Sequence, residues 1–126
     1  MSENKSGLKK RVLSFGFAFK GISELLKSEP NARIHLFATF CALLCGFLFK
    51  ISGSEWCAIL IVIGLVWAAE AFNTVVEKLI DHLFPEFHET ARVTKDIAAG
   101  AVLICAIISI IVGLIIFLPK LIEFFK

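Results

Sequence analysis

Along residues 8–27, Leu8, Val12, Phe15, Phe19, Ile22 and Leu26 recur every three or four positions, while Lys9, Lys10, Lys20, Glu24 and Lys27 fall off that stripe. The period is helical and predicts an amphipathic helix over 8–27. A basic helix of this kind lies flat in the headgroup layer of a membrane; a soluble helix packed on a partner is the alternative. Glu29-Pro30-Asn31 ends it, because proline has no backbone donor and disfavours helical geometry in the residue before it.

Beyond Arg33 the alternation gives way to continuous apolar runs. Residues 34–49 carry no formal charge between Arg33 and Lys50. As a helix the run is about 25 Å long, enough to cross a bilayer with the flanking cations snorkelling, so a first span is expected over 33–50. Ile51-Ser52-Gly53-Ser54 forms a tight connection. A second helix is expected over 55–83: Trp56 suits the interface, 56–69 is uncharged, and the pattern then keeps helical spacing while admitting acids. Pro85 fits its end, and 84–93 reads as a polar connection. The third helix is expected over 94–119, with 97–119 uncharged and Pro119-Lys120 at its end.

Composition agrees with this pattern. Apolar residues are 58% of 126, and the mean hydropathy is +0.86. A single soluble domain this small needs more polar surface than that, so the excess faces lipid or partner chains. The expected fold is an all-α integral membrane bundle in one domain, 1–126. A net charge of +2 gives no reason to invoke nucleic acid. Lys and Arg are uneven: ten of the thirteen lie in the N-terminal region or at Lys78, Arg92 and Lys95, against Lys50, Lys120 and Lys126. By the positive-inside rule the N-terminus and the 78–95 region are cytoplasmic. The first 33 residues lack the apolar core of a signal peptide, so the first span is expected to direct insertion itself. Cys41, Cys45, Cys57 and Cys105 sit in apolar runs without metal-site or redox spacing and read as small hydrophobes.

The chemistry lies in polar residues at membrane depth. Glu70, Asn73, Glu77 and Asp81 fall within an arc of about 80° on one helix face. Ionisable groups there are costly and need a partner, a proton or a function. Three carboxylates on one stripe repel each other unless a cation joins them. Interhelical hydrogen bonding is the structural alternative, above all for Asn73, while Asp81 fits an ordinary solvated or capping charge. Glu29 before the first span and Lys95-Asp96 before the third reach the same leaflet. Converging carboxylates suit Mg²⁺, which also retains substrate phosphates, and a nearby Lys suits a phosphate.

AEAFNTVVEKLID followed by HETARVTKDIAAGAVL resembles the prokaryotic diacylglycerol kinase and undecaprenol kinase family. The resemblance extends from Gly7 to about Phe117 and includes Gly16, Lys20-Gly21, Glu29 and Arg33. It implies a homotrimer in the bacterial inner membrane, with three spans and a surface helix per subunit and active sites shared between subunits. It implies transfer of the γ-phosphate of MgATP to a membrane lipid alcohol. Carried over by position, Glu70 is the general base and Asn73 lies beside the reacting groups. Glu29 and Glu77 hold the metal. Lys10, Phe17, Glu86, His88, Lys95 and Asp96 contact the nucleotide. The chain has no P-loop or protein-kinase glycine loop, and the family has none either.

Phe17 stands where the diacylglycerol branch usually has Tyr, and the chain contains no Tyr. Arg33-Ile34-His35, Glu55-Trp56 and Ala98-Ala99-Gly100-Ala101 look closer to the undecaprenol branch. Both acceptors stay open, with undecaprenol favoured. The rival functions are a small multidrug-type transporter and a non-catalytic membrane assembly subunit. Neither accounts for Glu29, Glu77 and Lys95-Asp96 together.

Overall fold

The computed structural model describes the backbone of residues 2–126 and the side chains of residues 7–126. Lys5, counted above among the N-terminal cations, lies outside the described side chains. Four helices follow in order: α1 (Ser2–Ser28), α2 (Pro30–Leu48), α3 (Gly53–Leu83) and α4 (Glu89–Phe124). Residues up to Pro30 form one compact unit and Asn31–Lys126 a second.

In the first unit, α1 begins before Leu8, the expected start. Leu8, Val12, Phe15, Phe19 and Ile22 of its apolar stripe are all more than half exposed. Such a face needs lipid or protein to cover it. Lys20 Nζ stands 5.7 Å from the centroid of the Phe17 ring, a cation–π distance that draws both side chains to one side of the helix. The helix stops where the sequence indicates. Glu29 N–H still donates to Leu25 O at 3.0 Å, but Pro30 has no N–H to continue the ladder and instead takes the first position of α2.

In the second unit, α2, α3 and α4 are each long and apolar enough to cross a membrane. Their lengths differ in a useful way. α2 has 19 residues, close to the ~20 that span the hydrocarbon, whereas α3 has 31 and α4 has 36. At 1.5 Å per residue, α3 and α4 run about 46 and 54 Å, so both must project beyond a core of about 30 Å.

α4 starts at Glu89 and runs through Pro119 to Phe124, longer at both ends than the 94–119 expected from charge. Pro119 removes one backbone donor, leaving the Ile115 carbonyl without its helical partner, yet the helix continues for five residues. The connection between α3 and α4 is correspondingly short, residues 84–88.

α2 ends in a Schellman motif. Ile51 N–H donates to Gly46 O at 3.2 Å, Lys50 N–H donates to Phe47 O at 3.3 Å, and Lys50 takes φ +49°. Ser52 then caps α3: its Oγ accepts from Glu55 N–H at 3.2 Å, and Glu55 Oε2 accepts from Ser52 N–H at 2.9 Å. This reciprocal box satisfies two orphan donors within one turn. Lys120 Nζ reaches Glu55 Oε1 at 3.2 Å and ties the far end of α4 to the start of α3.

Ile51, Ile59 and Ile116 form the buried apolar cluster, with Phe49, Trp56, Val112 and Phe117 packed around it. α2 meets α3 through two tryptophans. The Trp56 ring lies so close to Gly46 that a Cβ there would come within 2.6 Å of Cη2, and Trp67 Nε1 donates to Thr39 Oγ1 at 3.0 Å. Close approach at a small residue and hydrogen bonds between helices are the main cohesive devices in lipid, where apolar burial drives little.

Candidate active site

The packing face of α3 changes character halfway along. Ile59, Val62 and Val66 are buried, and the same stripe continues as Glu70, Asn73 and Glu77. Spacings of three and four residues keep all six on one face. Burial declines along the polar part. Glu70 is 1% exposed and Asn73 8%, Glu77 is half-buried, and Asp81 is exposed.

Around this stripe lies a cleft of about 290 Å³. α2 contributes Asn31, Ile34 and His35, α3 contributes Glu70, Asn73 and Glu77, and Ala99, Val102, Leu103 and Ala106 of α4 close the third wall. The α4 side chains are small or apolar, so every polar group in the cleft comes from α2 or α3.

Four buried polar atoms here have no hydrogen-bond partner: both carboxylate oxygens of Glu70, Asn73 Oδ1 and Thr74 Oγ1. A buried unpaired acceptor costs about 1–3 kcal/mol, and several together on one helix face mark a surface built to receive another group. His35 Nε2 lies 3.4 Å from Glu70 Oε2, a close contact that lacks the alignment of a hydrogen bond. Asn73 Nδ2 donates weakly to Glu77 Oε1 at 3.5 Å, which orients the amide so that its oxygen stays unpaired.

A second concavity of about 320 Å³ forms where the projecting end of α3 meets α4. Asp81, Phe84, Glu86, His88, Arg92, Lys95 and Asp96 are among the residues that line it. Its charges are largely paired. Lys95 Nζ donates to Asp81 Oδ1 at 2.7 Å, and Arg92 bridges Glu89 and Asp96, the latter at 2.8 Å. The His88 ring sits 4.9 Å from that of Phe84.

The predicted site residues thus fall into three groups. Glu70, Asn73 and Glu77 share the cleft, while Glu86, His88, Lys95 and Asp96 share the second concavity. Lys10, Phe17 and Glu29 belong to the first unit. There Phe17 is exposed beneath Lys20, Lys10 O accepts from Ser14 Oγ, and Glu29 Oε1 accepts from Ser28 Oγ at 3.4 Å. Three partners escaped the reading of motifs. His35 beside Glu70 had a usable signal, as the one histidine inside the first apolar run. Asp81 as the partner of Lys95, and Arg92 as that of Asp96, had none beyond helical spacing.

Fold and cleft together define a small polytopic membrane protein with its polar chemistry gathered toward one end of a helical bundle. Comparison with known proteins supplies the family. The model of the family described as Prokaryotic diacylglycerol kinase matches residues 16–117. The chain is 40% identical over 119 residues to an undecaprenol kinase of Bacillus subtilis, covering 94% of this chain and 97% of that protein. It is 33% identical to a diacylglycerol kinase of Synechocystis, covering 89% of this chain and 65% of the relative, and 24% identical to that of Escherichia coli K12, covering 88% and 91%. The chain belongs to the prokaryotic diacylglycerol kinase family and is a membrane lipid kinase.

Proposed function

We propose that this kinase transfers the γ-phosphate of ATP to undecaprenol, giving undecaprenyl phosphate, with diacylglycerol as the less favoured acceptor. The observation that carries the chemistry is Glu70, fully buried with both oxygens unpaired in a cleft shared with Asn73 and Glu77. The choice of lipid rests on the 40% identity to a protein named undecaprenol kinase, against 33% and 24% to proteins named diacylglycerol kinase.

A lipid hydroxyl is a weak nucleophile. Glu70 accepts its proton as the oxygen attacks the γ-phosphorus, and the bond from that phosphorus to the ADP oxygen breaks. Asn73 lies beside the reacting groups and holds the Glu77 carboxyl through its amide nitrogen. Glu77, with Glu29 from the end of the surface helix, supplies hard oxygen ligands of the kind Mg²⁺ takes. Mg²⁺ needs only one or two carboxylates and fills its remaining positions with phosphate oxygens and water. When bound, the ion neutralises charge on the phosphates. Lys95 and Asp96, with Glu86 and His88, face the nucleotide from the second concavity, and Lys10 and Phe17 are the further nucleotide contacts that the family resemblance implies. Asp81 takes one of the three donors of the Lys95 ammonium, which leaves two for a phosphate.

The active form is a homotrimer with sites shared between subunits, in the inner membrane with the N-terminus and the sites cytoplasmic. The apolar side chains exposed on α2 and α4, including Phe37, Phe40, Phe47, Ile104 and Ile111, supply surface for both lipid and neighbouring copies. ATP then arrives from the aqueous side and the lipid enters laterally.

The test offers purified protein undecaprenol and diacylglycerol side by side with MgATP and compares kcat/KM. A preference for undecaprenol is expected. A preference for diacylglycerol overturns the choice of lipid, and failure to phosphorylate either overturns the reading as a whole.

A further inference from the structure

We infer that His35 is the proton-accepting partner of Glu70. The inference rests on the reading of Glu70 as the base and concerns what makes that base work. Glu70 is the largest fully buried side chain, and neither of its oxygens is hydrogen-bonded. A carboxylate so placed needs an acceptor for the proton it receives. Among the described residues the cleft walls offer one. The facing residues of α4 are Ala99, Val102, Leu103 and Ala106, none of which titrates. On its own helix the facing titratable group is Glu77, a carboxyl already in contact with Asn73. From α2 the facing titratable side chain is His35, whose Nε2 stands 3.4 Å from Glu70 Oε2 while its own side chain remains 18% exposed.

Placement explains why an imidazole serves here. His35 lines the polar cleft and also a second, apolar pocket whose lining includes Thr39, Val62, Val66 and Ser109. It therefore stands at the border between the buried carboxylate and apolar surroundings. Histidine is the side chain that exchanges protons readily near neutral pH.

The proton balance is complete without a further reactant. The lipid oxygen forms its bond to the γ-phosphorus, the bond to ADP breaks, and the hydroxyl proton passes to Glu70. Glu70 then gives it to Nε2 of neutral His35, leaving a carboxylate beside an imidazolium. The imidazolium releases the proton to water in the cleft, and both side chains return to their starting states.

A double-mutant cycle tests this, because a residue that acts through Glu70 has nothing to act through once Glu70 is gone. Purified His35→Ala, His35→Gln, Glu70→Gln and the double variants are compared for kcat, KM for MgATP and thermal unfolding. In the wild-type background His35→Ala should lower kcat by about tenfold to a hundredfold, the scale expected when a side chain that acts through a reacting group is lost, with KM for MgATP within about twofold. In the Glu70→Gln background the same change should lower the residual rate less than about twofold. Added imidazole should raise the rate of His35→Ala and leave Glu70→Gln unchanged. If His35→Ala unfolds, His35→Gln keeps the bulk of the side chain and carries the same expectations except imidazole rescue. An equal fold-loss in both backgrounds, or kcat within about twofold of wild type for the folded His35 variants, overturns the inference. Near-normal turnover in Glu70→Gln alone would instead overturn the underlying reading of the base, so the two failures are distinguishable.

Discussion

The two halves of α3 make an informative pair. Both present one buried stripe to the same neighbours, at the same spacing and on the same helix. The first half fills the stripe with Ile59, Val62 and Val66, and the second fills it with Glu70, Asn73 and Thr74. In the first half, packing satisfies every group. In the second, burial leaves four polar atoms unpaired, although Leu or Ala at these positions would avoid that cost. Identical geometry with opposite chemistry separates what the helix needs for assembly from what it keeps for a substrate.

That division can be tested by perturbing each half and reading activity and stability separately. The largest effect should come from mixing subunits. Glu70→Gln and Glu29→Gln should each be nearly inactive alone, and verified mixed trimers should recover activity, because one composite site can be wild type at both positions. No recovery would count against shared sites. Next in size, Glu77→Gln should depress turnover by about tenfold to a hundredfold and raise the Mg²⁺ needed for half-maximal rate, with the assembly intact. Unchanged metal dependence removes Glu77 from the ligands.

At the apolar end the expected effects are on stability. Gly46→Ala puts a methyl group against the Trp56 ring and should cost about 1–3 kcal/mol in unfolding free energy, with kcat per folded enzyme close to wild type. Loss of turnover without loss of stability would show that the two ends are not independent. Ser52→Ala removes one side of the α3 capping box and should cost about 1 kcal/mol. Smallest of all, Lys50→Gly relieves a left-handed residue and should stabilise by about 0.5–1 kcal/mol, read as a higher Tm.

Much of this was legible in the sequence because membrane helices leave strong one-dimensional marks. Uncharged runs gave the three spans, and Pro30 marked the break after α1. A polar period of three and four within the second helix placed Glu70, Asn73 and Glu77 on one face. Helix ends were less legible. Residues 89–93 read as connection but form the first turns of α4, with Arg92 paired to Glu89 and Asp96. Pro119 read as a stop, yet one missing hydrogen bond does not end a 36-residue helix. Partners distant in sequence were least legible. Nothing local ties His35 to Glu70 or Lys95 to Asp81, because the packing of α2, α3 and α4 creates those pairs.

The most direct test of the division along α3 is to measure kcat, MgATP affinity and thermal unfolding on one preparation of Glu70→Gln. Glutamine keeps the size and hydrogen-bonding capacity of the side chain and removes its role as a base. A fall in kcat of about 10²–10⁴ is expected, with nucleotide affinity and unfolding temperature close to wild type. Near-normal kcat with a lowered unfolding temperature would contradict it, placing Glu70 with Ile59, Val62 and Val66 among the residues that only hold the bundle together.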